Sequence, residues 1–217
     1  MGTKITLSDV TLRNLTKNAE NAFSFNEKLE IARQLDKLCV DVIETAPIGD
    51  VTKKTDVLFL HSVASLLKNS TLACVAGLSE ESIEDTYNAI KNAPNARLII
   101  SVPVSTVQME YICSKKPAKV LEMIEALTKK AASLCDNVEV SLLDSTRAEK
   151  DFLASAIFAA VNNGAKAITL CDDAGTMLPG EFGDYIKEVC ETNASLSEVT
   201  LGVECNNKLH MASAVAI

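Results

Sequence analysis

The sequence predicts an α/β fold of the (β/α)8 barrel type, and three observations carry that expectation. Short β-branched runs alternate with longer segments of helical period along the whole chain. The strand segments are near-continuously apolar, as strands covered on both faces are. Polar residues recur where those strands end: Asp9 with Arg13, Glu44, Ser105, Asp144, Asp172 with Asp173, and Glu204 with Asn206. In a barrel such ends share one mouth, where the active site lies, so these side chains are expected to converge there. The rival arrangement, an open doubly wound sheet, usually carries a Gly-rich phosphate turn after its first strand. Here that strand runs into DVTLRNLTKN, which has no glycine.

The elements follow in order. Strands are expected at 4–9 (KITLSD), 40–45, 70–76, 96–104, 137–143, 165–172 and 198–205. Between them, 25–38 places Leu29, Ile31, Ala32, Leu35 and Leu38 on one helical face. The stretch VLFLHSVASLL is helical and carries His61, which is expected to be a core or surface residue. Residues 79–92 open with Ser79 as a cap followed by early acids, and 117–134 repeats apolar residues at 3–4 spacing. The segment 146–164 ends at Gly164, a good C-terminal stop, and 179–192 begins with Pro. Asp144 before Arg147, in DSTR, is expected to cap the helix at 146 with Arg147 as its first-turn partner. Asp172 and Asp173 are expected to cap the turn before Gly175.

Seven strands fit in 217 residues, whereas a barrel of this kind takes about 250. The expectation is a single domain over 1–217 that lacks the last strand–helix unit; either a partner chain fills the gap, or the chain is a fragment truncated at its C-terminus, or the sheet closes differently. Free strand edges then predict self-association or a partner subunit. A net charge of −8 and 4% aromatics argue against nucleic acid, because no basic surplus neutralises phosphates and little stacking surface is offered. No apolar run reaches the roughly 18 residues that span a bilayer, and MGTKITLSDV has no signal-peptide core. A cytoplasmic protein with no membrane partner is expected. Seven scattered cysteines, an odd number, predict buried free thiols rather than a disulfide framework.

Several blocks in order carry a family resemblance. They are Asp9-Val10-Thr11-Leu12-Arg13-Asn14, AFSFNEKLEIARQLDKLCVDVIETAPI, SVPVSTVQMEY, DSTRAEKDFLA and CDDAGTMLPGEFGDYIKEV. From residue 4 onward the chain resembles the 2-isopropylmalate synthase, homocitrate synthase and hydroxymethylglutaryl-CoA lyase group of metal-dependent barrels. The resemblance implies a barrel whose divalent metal polarises a 2-oxo acid or acyl-CoA adduct as a Lewis acid. It places the metal ligands at Asn14, Glu204 and Asn206, where the family has an Asp and two His. Two amides and one carboxylate are a poor set for a metal favoured by imidazoles, so no tightly bound cofactor is expected, only a weak Mg²⁺ or Mn²⁺ site. Other family positions have changed as well. A Gly-Glu-Gln stretch falls on Leu15-Thr16-Lys17, a catalytic Glu on Leu143, two His on Ile99 and Gln108, and an Asp-Thr pair on Asp172-Asp173.

What survives, on the resemblance, is Arg13 and Asp172 for catalysis, with Arg13, Glu44, Asp144 and Arg147 for binding substrate. From the residues alone, Arg13 is equally a structural cation paired with Glu44 or Asp172. His210 falls on a family Gly position and carries no catalytic expectation, and two histidines so placed make no Ser-His-Asp or Cys-His constellation. The joint losses predict a non-catalytic or altered relative that binds a small 2-oxo or dicarboxylic acid or a partner. The alternative is an active acyltransferase or lyase that joins acetyl-CoA to a 2-oxo acid, or cleaves the adduct, through a repurposed oxygen-ligand site.

Overall fold

The structure is a computed structural model that describes residues 5–14 and 23–217. Lys4 of the first expected strand and the Leu15-Thr16-Lys17 stretch lie outside the described residues. The chain separates into two compact units, Met1–Ile99 and Ile100–Ile217.

In the first unit, β1 (Ser8–Asp9), β2 (Val42–Thr45) and β3 (Thr71–Ala76) are parallel neighbours, with Ser8 opposite Val42 and Val42 opposite Thr71. Helices α1 (Phe25–Lys37), α2 (Lys53–Leu66) and α3 (Glu80–Ile90) link or follow them. The caps are those that the sequence signals. Ser24 Oγ accepts from Glu27 N while Glu27 returns to Ser24 N, a capping box, and Ser79 Oγ accepts from Ser82 N. Ile43, Leu60, Leu72, Ile83 and Ile90 are fully buried, and Val42, Ala73 and Ile99 form one core cluster.

Two expectations are corrected here. The first strand is two residues rather than six, because Asp41 Oδ2 takes the Leu7 N–H and Asp9 Oδ1 accepts from Thr11 N, which turns the chain into the short helix Thr11–Asn14. Leu38 is 74% exposed, and the buried position of that turn belongs instead to Asp36. Its carboxylate accepts from the backbone N–H of Lys68, Asn69 and Ser70 at 2.9–3.2 Å, tying α1 to the turn before β3.

The second unit holds β5 (Val138–Leu143), β6 (Ala167–Asp172) and β7 (Thr200–Cys205), again parallel neighbours in chain order. Strand β4 (Ala96–Pro103) crosses the boundary between the units. Helices α4 (Pro117–Leu134), α5 (Lys150–Asn162) and α6 (Pro179–Thr192) belong to this unit, two of them with Pro in the first turn. Gly164, at φ +106, ends α5 in the left-handed conformation that glycine adopts without strain. The helix expected from 146 is broken: Ser145–Arg147 is a 3₁₀ turn, and α5 starts only at Lys150. Strand β7 is more exposed than its neighbours, and Val203 is 37% exposed. All seven cysteines are free, but only Cys74, Cys135 and Cys171 are buried, so most of the thiols are not core residues. His61 is exposed. No helix among the described residues is long and apolar enough to cross a membrane.

Candidate functional site

In the first unit the end of β2 brings Glu44 to β1. Glu44 is 6% exposed. Its Oε2 lies 2.9 Å from Arg13 Nη1, and its Oε1 accepts from Ser8 Oγ at 2.5 Å. Arg13 therefore has Glu44 as an ionic partner, one of the two pairings open from the sequence. Asn14, on the same short helix, has a buried Oδ1 with no hydrogen-bond partner among the described residues.

In the second unit one hydrogen-bonded network joins the C-terminal ends of β4 to β7. Asp144 is fully buried and left-handed, at φ +58. Its side chain makes no helix cap, which corrects that half of the sequence reading of DSTR, while the expected pairing with Arg147 is present. Its carboxylate makes no bond to the following backbone N–H groups and turns to side chains instead. Arg147 Nε and Nη2 grip it at 2.8 and 2.7 Å, and Ser105 Oγ donates to it. The guanidinium, 52% exposed, is held firmly in its protonated form by the hydrogen bonds and charge of Asp144. Asp172, also buried, accepts from Thr146 Oγ1 at 3.0 Å and Gly175 N at 3.1 Å, so it does secure the turn before Gly175.

Asp173 accepts from Gln108 Nε2 at 2.9 Å, and burial pushes its carboxyl above the ordinary range. The Gln108 bond opposes that shift, and the charges of Asp144, Glu204 and Asp172 add to it. From β7, Asn206 donates its backbone N–H to the Asp172 carbonyl at 3.1 Å and its side-chain Nδ2 to the Asp173 carbonyl at 3.2 Å. Glu204 is partly buried, opposite Cys171 in the register. Leu143 is partly buried and Ile99 fully buried; neither apolar side chain can carry a proton.

The positions where the resemblance puts metal ligands, Asn14, Glu204 and Asn206, offer two amides and one carboxylate. No three His, Cys, Asp or Glu side chains among the described residues are grouped to hold one. Within the second unit the set reduces to Glu204 and an amide whose nitrogen is already bonded to the β6 end. The pairing of Gln108 with Asp173, 65 residues apart, has no local sequence signal. Asp36 did have one: it falls four residues after Ala32, on the face that α1 buries.

Parallel β/α repeats with polar side chains gathered after the strands define an α/β protein of the (β/α)8 barrel type, the class that works through its strand-end loops. The chain belongs to the HMGL-like family, whose model matches residues 4–217. Among curated relatives, 2-isopropylmalate synthase of Aquifex aeolicus is 33% identical over 214 residues, which is 99% of this chain and 41% of the relative. The Rhodopirellula baltica 2-isopropylmalate synthase is 31% identical over 211 residues, 97% of this chain and 40% of the relative. The chain thus spans about two fifths of the length of the curated relatives it matches. Among solved structures, the HMG-CoA lyase of Bacillus subtilis superposes with a TM-score of 0.76 at 15% identity, covering 98% of this chain and 72% of that one. The carboxyl transferase domain of Rhizobium etli pyruvate carboxylase gives 0.72 at 11% identity, covering 98% and 37%. These superpositions establish the fold.

Proposed function

We propose that this chain is a ligand-binding member of the HMGL-like family that holds a small carboxylic acid and does not carry out metal-dependent condensation or cleavage. The observation that supports it most directly is Asn206. At a position where the family resemblance places a metal-binding imidazole, its amide nitrogen straps β7 to the Asp173 carbonyl. Leu143, where the resemblance places a catalytic Glu, offers no proton-transfer group, and the contribution of such a group is typically ~10²–10⁴-fold in rate. What remains is carboxylate recognition. Arg147 is oriented by a buried partner and half open to solvent, the arrangement in which a guanidinium binds an anion at little entropic cost.

The test has two readouts. Protein dialysed against chelator should hold well under one equivalent of Zn²⁺, Mn²⁺ or Co²⁺ by elemental analysis. It should also release no free thiol from acetyl-CoA with a panel of 2-oxo acids. Stoichiometric metal or steady thiol release would replace this reading with the second one, an active acyltransferase or lyase. The observation that favours that alternative is the half-buried Asp173 carboxyl beside Glu204.

A further inference from the structure

We propose that the surface turn at 106–117 is a self-complementary contact through which two copies of this chain pair about a two-fold axis. The turn lies within the second unit. A short helix, Thr106–Gln108, runs into a π-helical turn, Met109–Cys113, closed by the Ser114 N–H on the Met109 carbonyl. Hydrogen bonds that span five residues widen the turn, so positions four and five apart share a face. Three faces result. Met109 is buried and Cys113 partly buried. Thr106, Glu110 and Ser114 line a cleft of about 510 Å³, whose lining also includes the apolar Met109 and Pro117 and the bases Lys115 and Lys116. Val107, Tyr111 and Ile112 face solvent, Tyr111 at 81% exposure.

Glu110, Lys115 and Lys116 form no ion pair with any described residue, although all three line one cleft. Unpaired charges are ordinary on a solvated surface. Three large apolar side chains exposed beside them are not, and such clusters mark contacts. A second copy answers both features. Across a two-fold axis each residue meets the counterpart of its own partner, so the patch must carry its own complement. Here the acid at 110 and the bases at 115 and 116 stand on either side of Tyr111 and Ile112. Tyr111 of one copy enters the cleft of the other against Met109 and Pro117, and Glu110 of each copy meets Lys115 or Lys116 of the other. The order acid, apolar, basic is reversed across the axis, so both sets of ion pairs form at once. An aromatic anchor in a pocket with charges at its rim is the arrangement that concentrates binding energy. An acidic partner of another sequence would satisfy the lysines and leave Glu110 against like charge, and a basic one would fail at the lysines. The net charge of −8 repels two copies at a distance, so the contact is a weak one.

Sedimentation equilibrium of the full chain tests the pairing. The mass should rise with concentration from that of one chain, 23.2 kDa, toward twice that value, with a Kd on the order of 10–100 µM. Tyr111→Ser and, separately, Glu110→Lys should each weaken pairing at least ~10-fold, as should Lys115→Glu with Lys116→Glu. All four positions are exposed, and circular dichroism checks that each variant folds. Joining Glu110→Lys, Lys115→Glu and Lys116→Glu in one chain reverses both members of every pair and should bring the dimer back to within about three-fold of the wild type. A wild type that keeps the mass of one chain at roughly 300 µM overturns the proposal. So does a dimer that Tyr111→Ser and Glu110→Lys leave unchanged, or a charge-reversed chain that does not recover.

Discussion

At the scale of single residues, two buried aspartates carry the largest consequences. Asp36 accepts three backbone N–H bonds. Burial by itself would raise its carboxyl, but those bonds from Ser70, Asn69 and Lys68 together outweigh burial and hold it below the ordinary range. A carboxyl lowered in the folded state contributes stability that is present in full above its unfolded pKa of ~3.9 and is lost as pH falls below that value and through the lower folded-state pKa. Asp36→Asn should therefore cost about 2–3 kcal/mol at pH 7, and the gap to the wild type should shrink below pH 4 in urea titrations at both pH values. Asp144 and Arg147 separate stability from binding. Asp144→Asn leaves a guanidinium without its buried partner, and about 2–3 kcal/mol of stability should be lost in denaturant. Arg147→Lys, at a half-exposed position, should cost under about 1 kcal/mol in denaturant yet weaken carboxylate binding ~10-fold in ligand titrations. Equal effects of the two changes on stability would show that Arg147 is only structural.

At the scale of elements, Gly202 shows how tightly β6 and β7 are fitted. It lies opposite Thr169, and a Cβ there would come within 2.5 Å of Thr169 Oγ1, which donates to the buried Glu139 at 2.7 Å. Threonine is stiff at χ1 and cannot swing aside. Gly202→Ala should destabilise by about 1–3 kcal/mol, and Thr169→Ala in the same chain should recover part of that loss in a double-mutant cycle of urea midpoints. Additive losses would mean that the overlap is absorbed elsewhere.

Much of this layer was legible in the sequence. The helices 117–134 and 179–192 run from the proline to the residue expected, because Pro at the first turn and the 3–4 apolar repeat act locally. The helix expected from 146 failed because Asp144 takes the left-handed conformation and spends its carboxylate on Arg147 and Ser105. Ser105 is 39 residues away, and no window of sequence contains that contact. The candidate site was legible as a set of strand-end residues, Asp144, Arg147, Asp172 and Asn206 among them. Its wiring through Gln108 and Thr146 was not, since those bonds depend on which strand ends become neighbours.

At the scale of the whole chain, the family match over residues 4–217 sets the expectations for chemistry, and the changed positions set its limits. Placing two imidazoles within the second unit, as Glu204→His with Asn206→His, should raise affinity for Zn²⁺ by at least ~10-fold in competition with a chelating dye, imidazole being a better zinc donor than an amide. No gain in affinity would mean that positions 204 and 206 do not meet around one ion.

Gly175 adds a consequence for how such a protein changes over time. Its φ is +61, and a Cβ on it would come within 2.6 Å of the Asn206 carbonyl oxygen. The contact is with main chain, so Gly175 dictates where residue 206 stands and is indifferent to what residue 206 is. Location and chemical identity are written at two separate addresses, thirty-one positions apart (206 − 175). A lineage can then exchange the side chain at 206 in one mutational step without rebuilding its perch, whereas a step at 175 forfeits the perch for every side chain at once.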